Sequence, residues 1–351
     1  MFVTITRNKK LPLLPPYYKY FLLFVFLTLI STVFSIDKLT SLKDNKEIFI
    51  FLLIPIFLLT ITSKKKLNIS LIILLITSFI SSLTGIFFII KQGISLNHRP
   101  KGFTSHWMTY SGILMLLFIF FFIFMLFEKK KNIRLPILFS LSVLLISILL
   151  SQTRSVWLGI LFSLTVFIIF FKPKILFYII PGFLILIYII PESVKQRIYS
   201  IVDLQNHSNR DRIHMVYTGI QIFKDHPLTG VGANNIEKVY PKYKHPDAVQ
   251  TNPHLHNNFL QILAERGLFA LIGLIMAFLS ILICLIKKIK NSQGSEKTIT
   301  IGTLFVFIGF LAAGMFEYNF GDSEIKFLLF YFLSIPFLKL KDQYNDQAKK
   351  I

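Results

Sequence analysis

Acidic residues and cysteine are what this sequence most lacks. Only 17 of its 351 residues are Asp or Glu, against 38 Lys and Arg, and there is a single cysteine, Cys284. One cysteine excludes a disulfide framework, a Cys-based zinc site and an iron–sulfur cluster. No phosphate loop and no Rossmann fingerprint occurs, which argues against cytoplasmic nucleotide chemistry. No Asp-x-Asp pair stands in an outer connection, where a metal-dependent sugar-nucleotide transferase would be expected to use one. Internal repeats are absent too. What is abundant is hydrocarbon: 54% hydrophobic residues, 38 Phe, only 16% charged residues and a mean hydropathy of +0.65. That many apolar side chains cannot all face inward in a chain of this size, so the solvent for the remainder is lipid. The expected fold class is all-α, a polytopic transmembrane bundle of about 10–12 spans with one large helical outer loop.

Apolar runs give ten candidate spans: Phe21–Ile36, Ile48–Thr62, Leu67–Ile90, Met108–Phe127, Leu135–Gln152, Ser155–Phe171, Ile175–Ile190, Leu268–Ile286, Ile299–Phe316 and Ile325–Leu340. The first follows Arg7, Lys9, Lys10 and Lys19 without a small-residue cleavage site, and reads as an uncleaved helix rather than a signal peptide. One alternating set of connections, including both chain ends, holds 21 of the 38 Lys and Arg; the opposite short connections hold 8. The basic set marks the cytoplasmic side, with both termini there, so the net charge of +21 is a topology signal and implies no nucleic-acid partner. Three regions follow: N-terminal membrane helices at 1–190, an outer loop at 191–267, and C-terminal membrane helices with a cytoplasmic tail at 268–351. The outer loop carries 9 basic and 7 acidic residues, close to neutral, and reads as a folded region.

Within that loop, Ile213, Val216, Tyr217, Ile220 and Phe223 recur at helical spacing. An amphipathic helix over Arg212–Phe223 is expected, stopped by Asp225-His226-Pro227 because the residue before proline avoids helical geometry. It either packs on the protein or lies flat on the membrane surface. Gly230 and Gly232 supply a tight turn, and a second helix should start near His256 or Asn257. Three features carry candidate chemistry. Arg154 sits between two hydrophobic runs with almost no loop, where a cation needs an anion or water, or else reaches out to a headgroup beside Trp157. Arg210 and Arg212 flank Asp211 at a helix start, suited to gripping phosphate or simply to a surface salt bridge. His254 and His256 lack a carboxylate or third histidine at ligand spacing, so no metal is expected; one neutral histidine can serve as a general base, or be merely solvated.

Taken in order, these segments resemble the O-antigen ligase/polymerase superfamily of bacterial membrane glycan transferases. Gln152-Thr153-Arg154-Ser155-Val156-Trp157-Leu158-Gly159 is similar to its outer-facing Arg segment. Arg212-Ile213-His214-Met215-Val216 with Pro227-Leu228-Thr229-Gly230-Val231-Gly232 is similar to its helix-and-turn motif, although Val216 stands where the family often has Trp. His256-Asn257-Asn258-Phe259-Leu260 begins a stretch similar to its His-Asn motif. The likeness covers roughly residues 148–286. It implies that Arg154 and Arg212, with Arg210 nearby, bind the diphosphate of an undecaprenyl diphosphate-linked glycan, and that His256 is the catalytic base. The implied reaction moves the glycan to a hydroxyl of lipid A–core at the periplasmic face of the bacterial inner membrane, without cofactor or metal and with inversion. A polymerase or a protein O-oligosaccharyltransferase of the same superfamily would share these motifs. A lipid-glycan flippase is disfavoured, because its spans should carry deep polar residues, whereas these are nearly free of charge, with Glu317 at an edge.

Overall fold

The computed structural model describes residues 12–175, 177 and 188–340. Every regular element among them is helical. In chain order they are α1 (Tyr18–Val33), α2 (Lys38–Asp44), α3 (Leu53–Thr60), α4 (Lys64–Gln92), α5 (Trp107–Phe127), α6 (Lys131–Leu150) and α7 (Arg154–Phe171). Then come α8 (Glu192–Tyr199), α9 (His207–Asp225), α10 (Ile236–Tyr243), α11 (Asn258–Asn291), α12 (Gly294–Ala313) and α13 (Ser323–Ser334). Six of these, α4 to α7 with α11 and α12, are long and apolar enough to cross a membrane, as the composition requires.

Several expected spans take a different form. Ile48–Thr62 is not one helix: a 3₁₀ stretch, Asn45–Leu52, runs into the eight-residue α3. The last apolar run is divided at Pro336, which cannot continue a helix, so α13 ends at Ser334 and a 3₁₀ turn, Ile335–Phe337, follows. The expected span Ile175–Ile190 lies almost wholly outside the described residues, as do the basic residues Arg7, Lys9 and Lys10.

Helices α5 and α12 form the centre. Their apolar residues run all round the helix, and consecutive side chains such as Leu114 to Phe121 are buried. Around them α4 and α6 leave Ile72, Ile73, Ile76, Leu138 and Phe139 exposed, which is the surface that lipid covers.

Helix α9 starts five residues before the expected position and stops at Asp225, ahead of His226-Pro227 as expected. Of the two placements open to its apolar stripe, the structure takes the one that leaves the stripe exposed. Met215, Thr218, Gly219 and Ile222 are buried toward α11, whereas Ile213, Val216, Tyr217 and Ile220 are exposed. An exposed apolar stripe on an outer helix fits one lying at the membrane surface.

The turn after α9 fixes the region that follows. Helix α11 is broken at Gly267, whose φ of 77° is left-handed and whose missing Cβ leaves room for the Leu228 carbonyl. At that break the 227–232 strand of chain lies along α11. The Val231 amide donates to the Ala264 carbonyl (3.0 Å), the Gly232 amide to Glu265 (2.7 Å), and the Leu268 amide to Pro227 (2.9 Å). The same turn is tied to the end of α1 by Ser31 Oγ donating to the Thr229 carbonyl (2.6 Å), and to α2 by Ser41 Oγ donating to that of Ala233 (2.9 Å). A loop far from the N-terminal helices in sequence is thus held against them by buried backbone groups that need partners.

Candidate functional site

Two of the three singled-out arginine positions converge. Arg154, the first residue of α7, is only 5% exposed. Its Nη1 donates to the carbonyl and hydroxyl of Ser200 (2.6 and 3.1 Å), and its Nη2 donates to Ser208 Oγ (3.0 Å). Arg212, one turn along α9 from Ser208, donates to that same hydroxyl from Nη1 (3.2 Å) and to the Phe316 carbonyl from Nε (3.3 Å). One small hydroxyl therefore receives two guanidinium groups. Asp211 pairs with His207 at 2.9 Å rather than with either neighbouring arginine, and Arg210 is exposed, with no contact tying it to this group.

Two further arginines, not singled out from the sequence, join the cluster. Arg197 on α8 donates from Nε to the Gln152 carbonyl (3.2 Å), which lies two residues before Arg154. Burial, then the charges of Arg99 and Arg212, pull the Arg197 guanidinium down to about 10. Arg99 is lowered by burial and by Arg154, and Arg212 by burial against the opposing pull of Glu317 and Asp211. Among the described residues the arginine ion pairs involve Arg266 and none of these four. Like charges packed this closely and partly dehydrated are favourable only with an anion among them. Such an arrangement suits an anion.

His256 stands beside it. Its Nδ1 donates to Glu317 Oε1 at 2.8 Å, with the two side chains 18% and 13% exposed. The geometry comes from the chain on both sides. Asn257 caps α11, accepting from the Phe259 and Leu260 amides, while its own amide group holds the Met315 carbonyl (2.9 Å). The Asn258 amide donates to the Gly314 carbonyl (2.8 Å), and its side chain spans Asn319 and the Phe320 amide. The start of α11 is in this way clamped to the turn after α12, which carries Glu317. The sequence put no carboxylate near the two histidines; the fold does, from 61 residues downstream.

Burial alone would raise the Glu317 carboxyl, but the hydrogen bond from His256 and the charges of His256, His254 and Arg212 outweigh it and hold it below its ordinary value. Glu317 is then an anion near neutral pH. With Nδ1–H given to Glu317, the imidazole has Nε2 left as a proton acceptor. Burial, with the charge of His256 assisting, lowers His254, and its Nε2 lies 3.9 Å from Glu317 Oε1. His254, His256 and Glu317 offer ligand atoms all within 4.8 Å of one another, so they are the residues here that a divalent ion would use.

Backbone strain gathers at the same place. Among the described residues, the non-glycine residues with left-handed φ are Gln152 (52°), Asn234 (57°) and His256 (46°). The first precedes Arg154, the last is the histidine itself, and Asn234 faces a cavity that His254 and Glu317 also line. Conformations of this kind cost about 1–3 kcal/mol each and persist where the surroundings over-determine them.

Residues 139–275 match the family described as O-antigen ligase. The matched stretch runs from α6 into α11 and includes Arg154, Arg197, Arg212 and His256, but neither Arg99 nor Glu317. No curated protein matches the chain. Over residues 139–275, then, this helical membrane bundle is similar to the O-antigen ligase family.

Proposed function

We propose that the protein transfers a glycan from undecaprenyl diphosphate to an acceptor hydroxyl, with lipid A–core as the acceptor, at the periplasmic face of the bacterial inner membrane. The observation that carries this reading is the meeting of two opposite chemistries: four clustered arginines on one side, and the His256–Glu317 pair on the other, with Arg212 between them. Departure of a diphosphate places negative charge on its oxygens, and guanidinium forks suit that charge better than point cations do. Arg154 and Arg212 hold the diphosphate, with Arg197 and Arg99 reinforcing the local potential. Arg210 sits at the rim and guides rather than grips.

His256 takes the acceptor proton at Nε2 as the new C–O bond forms, while Glu317 orients the ring and balances the imidazolium that results. Attack opposite the departing diphosphate inverts the anomeric carbon. The membrane carries the lipid portion of both substrates, so only polar groups need enter the site. The same arrangement would serve a polymerase that extends the glycan on its carrier, since both reactions need the same base and the same leaving-group site.

The test has two parts. Reporter fusions within residues 206–247 should give a periplasmic signal, and fusions after Lys66, Arg134 and Lys290 a cytoplasmic one; a cytoplasmic signal from 206–247 would overturn the reading. In a strain lacking the protein, surface glycan should disappear while lipid-linked polymer accumulates. Attachment of single repeats in its place would make the protein a polymerase.

A further inference from the structure

Beside Glu317 lies a cavity of about 420 Å³. That is within the range of small-ligand pockets, ~300–1,000 Å³. It opens between the two parts of the site, because Thr153 and Ser155 on either side of Arg154 line it, and so do His254 and Glu317. Its charge is the reverse of the arginine cluster. Five carboxylates face it, those of Asp44, Glu47, Glu265, Glu317 and Asp322, against two cations, Arg266 and Lys326.

The cations are already engaged. Lys326 Nζ lies 2.9 Å from Glu47 Oε2, and Ser323 donates to the same carboxylate. Arg266 Nη2 lies 3.4 Å from Asp44 Oδ2. Asp322 caps α13 through the Glu324 and Ile325 amides (3.1 Å each) and also takes the Thr109 hydroxyl. Glu265 accepts from the Asn234 amide at 2.8 Å. Two buried polar atoms of the lining are left without partners: Glu317 Oε2, an acceptor, and Nε of Arg266, a donor whose side chain is only 10% exposed. Both atoms belong to residues that line the cavity, so polar side chains rather than hydrocarbon form this part of its wall.

The geometry points to a sugar subsite in this cavity, one that takes a neutral or amino-bearing ring and rejects an anionic one. It rests on the reading of the site as a glycan transferase and adds to it a rule of selectivity. Sugar hydroxyls donate to carboxylates and accept from guanidinium, which is the pairing these walls offer. A uronate or a phosphorylated ring would set its charge among five carboxylates. A protonated amine would gain from the same field. The ring could come from the acceptor or from the donor's first sugar, since the cavity touches both parts of the site.

The experiment measures binding, not turnover, on the full chain in nanodiscs. Methyl glucoside, methyl glucosaminide and methyl glucuronide are the ligands titrated. The first two should bind, and the glucuronide should bind at least about tenfold more weakly. Glu265→Gln keeps the shape and the bond from Asn234, and Asp44→Asn changes a more exposed carboxylate; each should narrow that ratio, with folding checked by thermal unfolding of the same samples. Glucuronide binding as well as glucoside, binding by none of the three, or a ratio unchanged in both folded variants would overturn the subsite. Repeating the titration with saturating undecaprenyl diphosphate separates the sources: retained binding assigns the ring to the acceptor, lost binding to the donor. Because no step depends on transfer, an inactive His256→Ala protein that still binds the glucoside would uphold the subsite whatever becomes of the transferase reading.

Discussion

The arginine cluster and the acid-lined cavity both adjoin one residue pair, and they satisfy burial in opposite ways. On the cavity side each cation has a carboxylate: Lys326 has Glu47, and Arg266 has Asp44. On the arginine side Arg154 and Arg212 share a neutral serine hydroxyl, and Arg197 leans on a backbone carbonyl. A protein that only needed stability would have paired both, because unpaired buried charge is destabilising. The unpaired side is therefore where an anion is expected to enter. The paired but acid-rich side is where an uncharged group fits. His256 and Glu317 stand at the boundary, where a proton would have to move.

The comparison breaks most sharply at that boundary. His256→Ala should lower turnover by about 10²–10⁴-fold, the usual worth of a general base, while lipid-linked donor binding stays near that of the unaltered protein. His254→Ala should be mild, because His254 lies 3.9 Å from Glu317 and His256 is the residue that hydrogen-bonds it. Transfer and donor binding measured on the same membranes check both, and equal losses for the two histidines would assign this segment a structural role.

On the cationic side, Arg154→Lys and Arg212→Lys should each cost roughly 10²–10³-fold in transfer, as removal of one preorganised donor to developing charge does. Lysine restores the charge but not the fork that lets Arg154 reach Ser200 and Ser208 together. Arg210→Lys should change the rate little, since Arg210 is exposed and stands apart from the others. If Lys at all three positions behaved alike, general positive charge would explain the cluster and the bidentate grip would not.

How far these residues could be read from the sequence depends on how local their signals are. The stop of α9 at Asp225 and the start of α11 after Asn257 were legible, because proline and a capping asparagine act on their immediate neighbours. The family segments place Arg154, Arg212 and His256 in order. Glu317 was not legible as a partner of His256, because it is brought there by Asn257 and Asn258 holding the Met315 and Gly314 carbonyls, a purely tertiary event. Arg99 and Arg197 likewise come from separate connections. The buried face of α9 was left open by the sequence for a different reason. Beside a membrane an apolar stripe can face lipid as readily as protein, so Ile213 and Val216 are exposed while Thr218 and Gly219 are buried. The same ambiguity explains why apolar runs marked the spans well but said little about which face of α4 or α6 packs.

On the boundary itself, Glu317→Gln sharpens the comparison further. Glutamine keeps the size and can still meet His256, but it neither fixes the ring with Nδ1 protonated nor balances a positive imidazolium. A loss of at least about tenfold in turnover is expected, with donor affinity nearly unchanged. Reduced donor affinity at normal turnover would place Glu317 with the arginines instead.

The smallest expected effect concerns metal. His254, His256 and Glu317 are close enough to attract the suggestion of a bound cation. Yet Glu317 Oε1 is committed to His256 at 2.8 Å, and the charge of Arg212 also acts on that carboxylate. A divalent ion would have to break the first interaction and sit in the field of the second, losing the arrangement that leaves Nε2 available as a base. On the proposed reading, the four arginines would supply what a metal would give a departing diphosphate. Transfer by the purified protein should therefore be unchanged by EDTA, within the scatter of the assay, and added Zn²⁺ should inhibit rather than activate. Loss of activity with EDTA, restored by one divalent ion, would reverse the assignment: His256 would become a ligand, and the arginines would share the leaving group with a metal.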